Sequence, residues 1–184
     1  MMAQNEGTAM TIDRFPMPIV QSCWVVPDID QATKGWISLG VGPFFRFDVD
    51  IPNALYRGKV SPLAFTVALA QAGPTQIEFI CQRSDGPSAY RDTVPSGSSG
   101  FHHVCRAFGG YDETVAKLKS QGVMLATEFE IGGARTCYAD TRATMGCMLE
   151  VVDDSDIARR LLTTLRDGAI GWDGHDPIRE FTLL

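Results

Sequence analysis

The sequence predicts an α+β fold made of two βαβββ modules. Three observations predict it. The order strand, helix, strand, strand, strand occurs twice along the chain. An offset of 82 residues (103 minus 21) lays Gln21 on His103 without a gap, and with it Cys23 on Cys105, Asp30 on Asp112, Gly40 on Gly122 and Val41 on Val123. Finally, Ile77-Glu78-Phe79-Ile80 and Leu149-Glu150-Val151-Val152 place one carboxylate at the same point of each module's last strand. Between these landmarks the first module is longer by about ten residues.

The elements follow in order. Ile19 to Val26 is an apolar, β-branched run that Pro27 ends, so it is read as a strand. Asp28 or Asp30 caps a helix whose apolar face is Ile29, Ala32, Trp36 and Leu39, with Gly40 as its stop. Strands are expected over 44–49, 56–60, 62–71 and 76–82, with a helix as the alternative for the alanine-rich 62–71. Arg83 to Gly100, rich in Ser, Gly, Pro and Asp, is expected to be a flexible loop. In the second module, Phe101 to Ala107 is a strand and Tyr111 to Ser120 a helix. Val123 to Ile131 and Ala134 to Ala139 are strands joined at Gly132-Gly133, a hairpin signal. Cys147 to Val152 is the last strand, and Asp154 to Leu165 a helix capped by Asp154 or Ser155. An irregular tail anchored by Trp172 and Phe181 closes the chain. One domain is therefore expected, with a first module over 18–83, a linker over 84–100, a second module over 101–153 and a C-terminal helix and tail over 154–184.

Composition bounds the function. Apolar residues make up 45% of the 184 residues and charged ones 21%, ordinary for a globular chain. The net charge of −6 and the lack of a Lys/Arg cluster argue against a nucleic-acid partner. No apolar run reaches the length of about 18 residues that a membrane-spanning helix needs. Met1 to Arg14 is polar, lacks an apolar signal core and reads as a lead-in. The five cysteines are odd in number and form no CxxC pair, so reduced thiols and a cytoplasmic location are expected.

Four residues stand out by chemistry. Gln21 and Glu78 bracket the first module as His103 and Glu150 bracket the second. Each lies mid-strand among apolar neighbours. A carboxylate buried there without a partner costs several kcal/mol, about the order expected for an unpaired buried charge. A divalent cation is one remedy, and Gln, Glu, His and Glu are suitable ligands for Zn²⁺, Ni²⁺, Co²⁺, Fe²⁺ or Mn²⁺. Strict alternation sends His102 to the opposite face, away from this set. Cys23 and Cys105 share the ligands' parity and are read as packing, with a place beside the ligands as the alternative. Tyr138 and Arg135 cannot share a face, because their separation is odd. Tyr90 and Arg91, in the linker, are candidates for a lid, and His175 is assigned a capping or packing role.

The pieces Gln21-Ser-Cys-Trp-Val-Val-Pro-Asp-Ile-Asp, Gly40-Val-Gly-Pro-Phe-Phe, Gln76-Ile-Glu-Phe-Ile, His102-His103-Val and Met148-Leu-Glu-Val resemble glyoxalase-like proteins of the vicinal oxygen chelate superfamily. The resemblance runs from Ile19 to Asp153. It implies a curved sheet around a metal-binding cleft, with Gln21, Glu78, His103 and Glu150 in the four metal positions and zinc favoured. That ligand set is similar to one class of glyoxalase I. Gln21 departs from the two-histidine pattern of the ring-cleaving dioxygenases, and an intact set disfavours the antibiotic-binding members. The implied function is a metal-dependent lyase or isomerase that stabilises an enediolate of a small vicinal-oxygen substrate, with Glu150 as base and Glu78 as ligand and second acid/base. The alternatives are a ring-cleaving dioxygenase and a non-catalytic small-molecule binding protein. A homodimer is expected.

Overall fold

The computed structural model describes residues 18–106 and 108–183; the lead-in expected over residues 1–14 lies outside them. The described strands form one curved, unclosed, mixed sheet. The first module holds β1 (Ile19–Val25), α1 (Ile29–Ser38), β2 (Phe44–Ile51), the short hairpin β3 (Leu55–Tyr56) and β4 (Lys59–Val60), β5 (Leu63–Ala72) and β6 (Thr75–Gln82). After α2 (Ala89–Thr93), the second holds β7 (Gly100–Arg106), α3 (Tyr111–Ser120), β8 (Leu125–Ile131), β9 (Ala134–Ala139), α4 (Arg142–Met145) and β10 (Met148–Val152). α5 (Asp156–Ala169) and β11 (Ile178–Glu180) follow. The spatial order is β11-β2-β5-β6-β1-β7-β10-β9-β8-β3-β4.

The repeat is visible in the strand pairing. In each module the first strand runs parallel to the last: β1 to β6 with Cys23 opposite Glu78, and β7 to β10 with Cys105 opposite Glu150. The modules meet where β1 runs antiparallel to β7, with Cys23 opposite His103 and Gln21 opposite Cys105. These reciprocal registers are those of a pseudo-two-fold axis between β1 and β7. The extra length of the first module is the β3–β4 hairpin, which pairs with β8 of the other module.

Helices α1 and α3 cover the convex face. Asp28 accepts a hydrogen bond from the Gln31 amide and starts α1, which packs Ile29, Ala32 and Trp36 on Ala68, Ala70 and Phe79. Leu118 and Val115 of α3 pack likewise on Leu149 and Val151. The concave face carries the main core, in which Phe47, Phe65 and Val67 of the first module meet Tyr138 and Met148 of the second. Here β2 and β8 approach one another, closing the sheet into a trough. No helix among the described residues is long and apolar enough to cross a membrane.

Two segments differ from expectation. Residues 84–100 are not a free loop. Ser88 caps α2 and donates to Gln82 Oε1 at 2.7 Å, the Ala89 amide donates to Thr127 Oγ1 at 2.9 Å, and Ala89, Tyr90 and Val94 are buried. The Ser/Gly/Pro composition hides this anchoring, because it comes from contacts distant in sequence. The tail is not wholly irregular either: Ile178–Glu180 adds a parallel strand beside β2, satisfying an edge the sequence leaves open.

Candidate metal centre

The floor of the trough is built from four neighbouring strands, β6, β1, β7 and β10. Their inward positions are Gln21 and Cys23, Glu78, His103 and Cys105, and Glu150, none more than 6% exposed. Gln21 Nε2 donates to Glu78 Oε2 at 2.8 Å. His103 Nε2 lies 3.2 Å from the same Glu78 oxygen and 3.3 Å from Glu150 Oε2. All four residues singled out in the sequence are thus brought to one place, two from each module. Tyr138, inward-facing on β9, stands beside Glu150 and pairs its hydroxyl with that of Tyr90 at 3.0 Å. Arg135, of opposite parity, turns to the far face and binds Asp112 and Asp153.

Burial and proximity set the charges. Burial favours the neutral form of every group here. Glu78 ends above the ordinary carboxylate range, with the Glu150 charge adding to the effect of burial. Glu150 ends below it: burial raises it, but the His103 charge and the close approach of His103, Cys105 and Tyr138 outweigh burial. For His103, burial lowers the pKa, but the two carboxylates raise it more, to about 9. The metal-free cluster at neutral pH is therefore an imidazolium held between an ionised Glu150 and a Glu78 that retains protons more readily.

A cation fits this set. His103 Nε2 is buried and, although close to both carboxylates, has hydrogen-bond geometry to neither. Cys23, Glu78 and His103 present donor atoms all within 4.8 Å of one another. Two anionic oxygens, one imidazole nitrogen and one amide oxygen suit a borderline divalent ion such as Zn²⁺, and the Cys23 thiol stands ready beside them.

Above the floor is a cleft of about 100 Å³ whose walls are mostly aromatic and aliphatic, among them Phe47, Phe65, Phe129, Ile80 and Val67. Gln21, Glu78, Glu150 and Tyr138 open into it.

A family model described as the Glyoxalase/Bleomycin resistance protein/Dioxygenase superfamily matches residues 20–139, more than half the chain. The chain belongs to this superfamily. Solved structures share the fold of these glyoxalase-like proteins. A hypothetical protein from Bacillus halodurans C-125 aligns with a TM-score of 0.57 and 17% identity, covering 77% of this chain and 97% of its own. A Streptomyces coelicolor methylmalonyl-CoA epimerase, in complex with 2-nitronate-propionyl-CoA, aligns with a TM-score of 0.52 and 15% identity, covering 76% and 96%. A methylmalonyl-CoA epimerase in complex with methylmalonyl-CoA and NH4+ gives 0.52 and 14%, with the same coverage. No curated protein matches the chain.

Within this glyoxalase-like site, two sequence readings need correction. Alternation placed His102 on the opposite face. In β7 it does not alternate, because Cys23 pairs with His103 and Trp24 with Phe101, leaving His102 as the extra residue of a β-bulge. The bulge turns its ring inward, against Tyr90 and Tyr138, with Nδ1 2.8 Å from His103 Nδ1. Burial, then the neighbouring His103, holds His102 well below the ordinary histidine value, so it is neutral. For Cys23 and Cys105 the alternative to packing holds, since they stand beside the two carboxylates. The repeat carried this signal, since both thiols stand two residues beyond a candidate ligand. Tyr90 is neither lid nor loop; it is buried against Phe65, His102 and Tyr138.

Proposed function

We propose that the chain is a metal-dependent enzyme of glyoxalase type, a lyase or isomerase that moves a proton on a small substrate carrying two adjacent oxygens. The observation that carries this reading is the pair of buried carboxylates, Glu78 and Glu150, on either side of His103 at the floor of an apolar cleft. Gln21, Glu78, His103 and Glu150 would hold the ion, with zinc favoured by the donor set. When bound, a divalent cation there supplies Lewis acidity that polarises a substrate carbonyl and acidifies the adjacent C–H.

The chain's own residues handle the proton. Glu150 is kept ionised and opens into the cleft, so it takes the proton. Glu78 holds a proton more readily and returns one from the opposite module. Gln21 fixes the orientation of Glu78 through its 2.8 Å hydrogen bond. Tyr138 braces Glu150, and the aromatic walls seat the apolar body of the substrate. Isomerisation, epimerisation and elimination share this first step. The epimerase structures supply a precedent for proton-transfer enzymes on this fold.

The test is solvent exchange. Zinc-loaded protein in D₂O should speed deuterium incorporation at the carbinol carbon of 1-hydroxy-2-butanone over buffer, followed by proton NMR. Glu150→Gln should lose about 10²- to 10⁴-fold of that rate, the usual worth of a positioned base. Oxygen uptake with catechols and no exchange would move the assignment to ring cleavage. Neither activity, with tight chelator binding, would make it a binding protein.

A further inference from the structure

The superfamily match ends at residue 139, before α5 begins at Asp156. Yet α5 is part of the cleft. Its apolar face, Ile157, Ala158, Leu161 and Leu165, faces the trough, while Arg159, Arg160, Thr163 and Arg166 are exposed. The helix touches β5 of the first module and β9 of the second, so it spans the trough from wall to wall. Both ends are seated closely. A Cβ on Gly132, in the β8–β9 turn, would lie 3.4 Å from Ile157, and one on Gly168, near the other end of α5, would lie 2.8 Å from the Phe45 ring. The chain then doubles back. The Arg160 guanidinium donates to the Thr182 carbonyl at 2.7 Å and stacks over Phe181, which packs on Phe47 of β2. Leu183 enters the cleft beside Leu161.

What remains beneath is small and free of cations. At about 100 Å³, the space suits a short apolar body. Among the described residues, no Lys, Arg or His side chain lines its walls, and its carboxylates are Glu78 and Glu150. A phosphate or a peptide carboxylate lying along these walls, away from the floor, would find no side-chain counter-charge.

We propose that α5 and the terminal segment form a roof, fixed to both modules, that restricts the substrate to a compact vicinal-oxygen compound with a short apolar body and no anionic arm. Thioesters of coenzyme A and adducts of glutathione are excluded. This rests on the metal-dependent reading for the oxygen end of the substrate and on the roof alone for its size.

The experiment measures dissociation constants of straight-chain alkyl hydroxamates, from two to eight carbons, for the zinc-loaded full-length protein. Affinity should rise about fourfold per added methylene while the cleft fills, then fall at least tenfold by the longest chain. Trimming the roof with Leu161→Ala and Ile157→Ala together should move the optimum by two or more carbons and leave acetohydroxamate binding within about threefold. Gain of the longer ligands is a result that misfolding cannot mimic. A profile without a cut-off, an optimum unmoved by trimming, or competition by propionyl-coenzyme A would overturn the proposal. Failure of the protein to take up zinc would instead sink the metal reading. The same chain-length cut-off, measured by NMR with 1-alkanols on metal-free protein, then decides the roof: a cut-off relaxed by trimming supports it, and its absence refutes it.

Discussion

His102 and His103 are adjacent in sequence and have different tasks. For His103 to offer Nε2 to an ion, its proton must sit on Nδ1. The His102 Nδ1, 2.8 Å away, is placed to accept that proton, which leaves the His102 proton on Nε2. His102→Phe preserves the ring packing against Tyr90 and Tyr138 and removes the acceptor. We expect zinc affinity, measured by competition with a chromogenic chelator, to fall about 10- to 100-fold, with partial recovery in His102→Asn. An unchanged affinity would make His102 a packing residue only. The charge on His103 gives a second expectation. Its pKa is raised to about 9 in the metal-free fold, above the ordinary histidine value of 6.5. The stability from this shift is fully present below about pH 6.5 and is lost as the pH climbs through about 9. Urea midpoints of metal-free protein should therefore fall between these two pH values, and Glu150→Gln should flatten the change. A midpoint that rises over this window in the parent protein would contradict the arrangement. The repeat register singled out Gln21, Glu78, His103 and Glu150 in the sequence, because the same strand positions recur in both modules. Alternation failed at His102, because a bulge is set by how β7 pairs with β1, which no local pattern reports.

Among the elements, the strands and long helices were legible because each carries its own periodicity. Ile29, Ala32 and Trp36 mark α1, and the alternation Leu63, Phe65, Val67, Leu69 marks β5. The repeat also placed the extra residues of the first module, which prove to be the β3–β4 hairpin. α2 was not legible. It is five residues long, sits in a polar segment and is held by Gln82 and Thr127 from two other strands. Its burial predicts a measurable role: Tyr90→Ala should destabilise the fold by about 3–5 kcal/mol in chemical denaturation, as for other large buried aromatics. A loss below about 1 kcal/mol would show the segment to be the loop its composition suggests. α5 was visible as a helix, with Ser155 accepting from the Ala158 amide, but its position was not. That position depends on Gly168. A methyl group there would press on Phe45, so Gly168→Ala should cost about 1–3 kcal/mol despite the better helix propensity of alanine. Equal or greater stability in that variant would show that α5 is not seated as described.

At the scale of the whole molecule, the duplicated module explains why the site lies where it does. Neither half holds a complete ligand set. Gln21 and Glu78 come from one module and His103 and Glu150 from the other, and the β1–β7 junction brings them together on the concave side. The buried charge that would weaken an ordinary core is confined to this junction, where opposite charges and the two thiols surround it. The apolar walls and the α5 roof then bound the space above. Substrate size is thus governed by the α5 roof, and the chemistry by the β6-β1-β7-β10 floor, whose Glu150 also lies beyond the superfamily match. The central claim is that this junction holds one divalent ion. Anomalous diffraction from crystals of the zinc-loaded protein tests it most directly. One peak per chain, within coordination distance of Gln21, Glu78, His103 and Glu150, is the predicted result. No peak there, or a peak held by other residues, would contradict it.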